Sequence, residues 1–112
     1  MIKKITCDIY GVDIYVAIGM PYKRLVKMIK TKHHVILKES DVPEKADGAS
    51  ILLSTGYLLW IEKFNVSILA HEALHITQGV LEKHDIFLKH STREVYAYYL
   101  GWLIDKITKK KR

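Results

Sequence analysis

Residues 49–75 read ASILLSTGYLLWIEKFNVSILAHEALH, and the order of elements in that stretch sets the architecture. Two apolar runs, 49–54 and 57–62, flank Thr55-Gly56, the composition of a tight turn, so they pair as a hairpin. Beyond them the apolar residues fall at helical spacing and predict a helix over 65–82. With His71 as the reference direction, Leu69, Ala70, Ala73, Ile76, Val80 and Leu81 lie on the far side of that helix. His71, His75, Gln78 and Glu82 share the near side. One face is therefore read as core, and the two histidines stand off it.

Working outward, residues 3–18 read as two strands. Ile5, Cys7 and Ile9 alternate with Lys4, Thr6 and Asp8, Tyr10-Gly11-Val12-Asp13 supplies a turn, and Ile14, Val16 and Ile18 resume the period of two. Pro21 opens a helix through about Lys32, with Leu25, Met28 and Ile29 on one face. Val35-Ile36-Leu37 is a short strand candidate, and the polar segment 38–48 is a loop. A last helix spans about 91–108. The order β-β-α-β-β-β-α-α predicts one α+β domain over 1–112, an antiparallel or mixed sheet with its three helices on one face.

Composition narrows the function classes. At 49% hydrophobic and 27% charged residues, the chain has enough apolar content for a core, which excludes a disordered segment. Cys7 is the single cysteine, so an intramolecular disulfide is excluded and a small buried thiol in a reducing, cytoplasmic setting is expected. Asp8 and Asp13 interrupt the only start that resembles a signal segment, and no apolar run is long enough to span a bilayer. The net charge of +6 owes much to Lys109, Lys110, Lys111 and Arg112, read as the solvated end of the last helix. No aromatic residue interleaves with them, which disfavours a nucleic-acid platform.

The chemistry concentrates at His71-Glu72-Ala73-Leu74-His75. Residues four apart on a helix stand one above the other, so both imidazoles can reach one Zn²⁺ at about 2.0–2.1 Å. Glu72 sits about 100° round the helix, beside such a metal, where a general base for water belongs. Catalytic zinc takes a third protein ligand, and His84, Asp85, His90 and Glu94 follow in the chain.

The motif resembles that of the zincin peptidases, in the gluzincin branch, where a glutamate on the next helix follows HExxH by some twenty residues. Glu94 lies 19 positions after His75. The metzincin pattern fits poorly, because Gln78 and Leu81 occupy the positions where it has glycine and histidine. The likeness covers about 24 residues and implies a small zincin-like domain. Zn²⁺ would be held by His71, His75 and Glu94, with Glu72 as catalytic base and Tyr98 as a candidate stabiliser of the transition state. Small residues on the Glu94 face, Ala97 and Gly101, would let the last helix approach the first. Ser91-x-x-Glu94 is also the form of a capping box, the competing role for that glutamate. The implied activity is hydrolysis of a peptide or an unfolded segment laid along residues 57–61. The alternative is a binding protein that keeps the scaffold with a structural or vestigial zinc.

Overall fold

In the computed structural model, which describes residues 2–38 and 41–109, the chain forms β1 (Ile2–Cys7), β2 (Val12–Ile18), α1 (Tyr22–His33), β3 (Gly48–Leu52), β4 (Gly56–Ile61), α2 (Val66–Lys83) and α3 (Arg93–Thr108). The four strands make one sheet in the order β1-β2-β4-β3. The two hairpins, β1–β2 and β3–β4, are antiparallel, and a parallel ladder of β2 on β4 joins them. The α+β class and mixed sheet follow the expectation. The basic residues 110–112 lie outside the described residues.

β4 is the central element. Leu58, Leu59, Trp60 and Ile61 are each completely buried. Alternation sends them to opposite faces of the sheet. Leu59 and Ile61 join Ile5, Ile14, Val16 and the apolar sides of α2 and α3. Leu58 and Trp60 join Ala17, Ala49, Ile51 and the Leu25–Ile29 side of α1. The Trp60 indole N–H donates to the Met20 carbonyl at 2.6 Å, so this large buried ring leaves no polar atom unsatisfied.

Three expectations are corrected here. The helices do not share one face: α1 covers one side of the sheet while α2 and α3 cover the other. The reason is the unbroken apolar run of β4, which needs cover on both sides. Val35-Ile36-Leu37 forms no strand. α1 ends on His34 in the left-handed region (φ 56°), and beyond it Val35 and Leu37 pack on the α1-side cluster while Ile36 faces solvent. Its alternation comes from packing without a ladder. Finally, residues 57–61 cannot receive an extended peptide, because β2 and β3 occupy both edges of β4.

Gly56 opens β4 directly opposite Asp13 of β2. A Cβ at Gly56 would lie 1.8 Å from the Asp13 carbonyl oxygen, and that neighbour is backbone and cannot swing away. Gly101, within α3, has open space around its Cβ position. Gly56→Ala is therefore expected to cost about 3 kcal/mol or more in urea denaturation. Gly101→Ala should gain about 0.5–1 kcal/mol. Equal stability of the two variants would contradict the β2–β4 junction described here.

Candidate metal centre

α2 is fixed at both ends. Asn65 caps it, its side chain accepting from the Ile68 N–H at 3.1 Å. At the other end the Ile86 and Asp85 N–H groups return to the Leu81 and Glu82 carbonyls, with Asp85 in the left-handed region (φ 61°), a Schellman closure. Between these ends Leu69, Ala73, Ile76, Val80 and Leu81 are buried as the periodicity requires, whereas Ala70 is exposed. The buried arc turns instead through Glu72 and Thr77. Thr77 satisfies its hydroxyl by donating to the Ala73 carbonyl.

His71 and His75 stand one turn apart on the exposed side, and their Nε2 atoms are 3.1 Å apart. Two zinc–nitrogen bonds of about 2.0–2.1 Å at a tetrahedral angle put the nitrogens about 3.3 Å apart, so the pair is spaced for one metal ion. The same separation also suits an N–H of one ring donating to the other. Glu72 stands beside the pair. Its stem packs against the core while its carboxylate faces a cleft, and its only ion-pair contact among the described residues is His71, Nε2 to Oε2 at 4.0 Å. A cation held by the two rings would therefore have an acid next to it. One ligand atom from each of His71, Glu72 and His75 lies within 4.8 Å of the others.

Glu72 and His71 face a cleft of about 420 Å³ whose other walls come from Ala46, Asp47, Gly48, Ser67 and Ile68. Gly48 pairs with Ile61, on the sheet face that α2 covers. A Cβ there would meet Ile68 Cγ2 at 2.6 Å and approach Glu72 Cγ at 3.7 Å. The start of edge strand β3 therefore lies against α2 because position 48 has no side chain. Asp47, Gly48 and Ser67 line this cleft with His71 and Glu72, and the sequence does not single them out. The one available signal was that Asp47-Gly48 closes a polar loop immediately before an apolar strand.

The structure does not bring Glu94 to the histidines. The 84–92 connection is held by the Schellman closure and by Thr92, whose hydroxyl donates to the Phe87 carbonyl and accepts from the Lys89 N–H. α3 consequently begins at Arg93, with Thr92 rather than Ser91 as its N-cap, so the capping box does not form either. Glu94 sits in the first turn, where a carboxylate suits the helix dipole. Its face, with Ala97, Tyr98, Gly101 and Asp105, is exposed, and α3 packs through Tyr96, Tyr99, Leu103 and Ile107 instead. Small residues at 97 and 101 thus face solvent and do not set the helix approach. Tyr98 is 77% exposed and lines a different cavity with Ile9 and Trp102. His84 packs its ring on Tyr10 at 4.9 Å, about 20 Å along the helix from His71. Asp85 closes the helix through its backbone N–H and lies about 20 Å along it from His71, and His90 is exposed in the turn before α3.

No family model, curated protein or solved structure matches this chain, so its site rests on its own geometry. Zinc titration should give about one equivalent per chain and a rise in melting temperature that chelator reverses, since a ligand of the folded state adds to its stability. His71→Ala and His75→Ala should each abolish both effects. A melting temperature indifferent to zinc and to chelator would leave the two rings as a hydrogen-bonded surface pair. Asp47→Asn and Glu94→Gln then locate the third donor: the one that fills it should weaken zinc at least about tenfold.

Proposed function

We propose that this protein is a zinc-dependent peptidase of zincin type. The observation that carries the reading is the Nε2 pair at 3.1 Å with the Glu72 carboxylate 4.0 Å from the nearer ring. His71 and His75 would hold the ion. Glu94, which the resemblance assigns as third donor, stands apart on α3. The carboxylate nearest in the fold that could take its place is Asp47, which lines the cleft with Glu72 but lies outside the His71–Glu72–His75 cluster.

A zinc ion held by these rings would supply a Lewis acid for the carbonyl and would lower the pKa of a bound water towards neutrality. Glu72, held on the core side of α2, accepts a proton from the attacking water and returns it to the leaving amine nitrogen as the C–N bond breaks. The products are a carboxylate and an amine, so the proton inventory closes on this one side chain. Packing of its stem keeps Glu72 beside the histidines, and Gly48 lets the start of β3 lie directly against Ile68 in the cleft wall.

The substrate fits along β3 and not along β4. β3 is the sheet edge beside the cleft, and its outer ladder positions have no strand partner among the described residues. An extended peptide or unfolded segment could add there by main-chain hydrogen bonds. No helix is long and apolar enough to cross a membrane among the described residues. The free, buried Cys7 agrees with a cytoplasmic setting.

A second reading has an observation of its own: two imidazoles alone complete the cluster with Glu72, and Glu94 stands apart from it. That arrangement suits a binding protein with a weak or vestigial zinc site. Glu72→Gln discriminates. It keeps shape, so it should bind zinc like wild type and cleave a quenched-fluorescent peptide library about 10²–10⁴-fold more slowly. Equal cleavage by the variant would remove Glu72 from the mechanism. No cleavage by zinc-loaded wild type would favour the binding protein.

A further inference from the structure

Charge is distributed unevenly along this chain. No acidic residue lies between Asp13 and Glu39, while Lys23, Arg24, Lys27, Lys30, Lys32 and Lys38 all fall in that segment. Elsewhere cations alternate with acids, as Lys83, Lys89 and Arg93 do with Glu82, Asp85 and Glu94. The basic segment is α1 and the stretch just beyond it, on the sheet face opposite α2. It is therefore separate from the metal centre.

The fold turns this charge outward. Leu25 and Ile29 are completely buried and fix α1 to the sheet. Lys23, Lys27 and Lys30 fall within about 60° of one another, on the side away from those two residues. All three are exposed, as are Arg24 and Lys32, and the stripe runs about 10 Å along the axis. The ion pairs among the described residues are Lys4–Asp13 and His71–Glu72, so no carboxylate pairs with the stripe. The loop with Asp41 and Glu44 meets α1 at Tyr22, whose hydroxyl donates to the Val42 carbonyl at 2.7 Å. That contact is about 100° round the helix from Lys23.

The start of α1 favours an anion. Its first turn has no acid, and no side chain caps it. Lys23 and Arg24 stand at the positive end of the helix dipole, where an anion would relieve the repulsion and meet the first N–H groups. The stripe continues two turns further to Lys30, so the occupant must be extended as well as anionic. No Phe, Tyr or Trp lies on the stripe for unpaired bases to stack on, which disfavours a single strand. The apolar side of α1 is packed into the core, and Ile36 is the one large apolar residue exposed in segment 14–38, which disfavours a lipid surface. A duplex phosphate backbone fits both the charge and its linear arrangement.

We propose that the outward face of α1 is a docking surface for the phosphate backbone of a nucleic acid duplex, held by Lys23, Arg24, Lys27 and Lys30 without base-specific contacts.

The test titrates the full chain into two fluorescein-labelled DNA duplexes of unrelated sequence, about 20 base pairs long, with anisotropy as the readout. Both should bind alike, and affinity should fall about a hundredfold between 50 and 200 mM salt, as about four phosphate contacts require. Lys23→Gln, Lys27→Gln and Lys30→Gln should each reduce the salt slope by about one. Combined, they should weaken binding at least about tenfold at 50 mM salt. Glutamine keeps helix propensity at these exposed positions, so circular dichroism should not change. A second triple variant, Lys83→Gln, Lys89→Gln and Arg93→Gln, removes the same charge elsewhere and should stay within about threefold of wild type. His71→Ala should bind like wild type. Equal losses in the two triple variants would mean that net charge alone attracts the duplex, and would overturn the proposal. So would no binding at 50 mM salt, tighter binding to a single strand of equal length, or capture by phosphatidylserine vesicles that the duplex fails to displace.

Discussion

The structure depends on the burial of β4 from both sides. Four consecutive apolar residues, Leu58 to Ile61, cannot be covered by a single layer, so α1 must lie on one face and the α2–α3 pair on the other. The same strand is paired along both edges, which pushes β3 to the rim of the sheet and joins the two hairpins through the β2–β4 ladder. α2 leaves the end of β4 after a short turn. Its start therefore returns across the beginning of β3, and the approach is tight only because position 48 is glycine. The position of the candidate centre is a consequence of that crossing.

Within α2 one helix meets two demands, packing on the sheet and presenting the histidine pair. The arc that packs on the sheet runs through Leu69, Ala73, Ile76 and Val80, and it also takes in Glu72. Its carboxylate ends at the cleft, next to His71. The helix thus sets an acid between the core and two imidazoles, where the proposed centre would use it.

What was legible in the sequence was local. The hairpin turns at Gly11 and Gly56, the period of two in β1 and β2, and the spacing of His71, Glu72 and His75 all depend on residues close in the chain. What was misjudged depends on distant contacts. Whether β4 was edge or centre hinged on a parallel partner some forty residues away, and parallel pairing leaves no turn signature. The rotation of α3 about its axis was set by Tyr96, Tyr99, Leu103 and Ile107 meeting the α2 side of the core, which turned Glu94 and Tyr98 outward. α3 also starts at Arg93, two residues later than the spacing suggested, which leaves Glu94 in its first turn. Asp47 and Gly48 were invisible for the opposite reason. Nothing near them in sequence marks chemistry, and only the β3–α2 crossing brings them beside Glu72.

The central claim is that one metal ion is shared by the two helical histidines, and zinc-edge X-ray absorption of the loaded chain tests it most directly. The account predicts a first shell of nitrogen and oxygen at about 2.0–2.2 Å, with the outer-shell scattering of two imidazoles. A shell without imidazole scattering, or one containing sulfur at about 2.3 Å from Cys7, would contradict it.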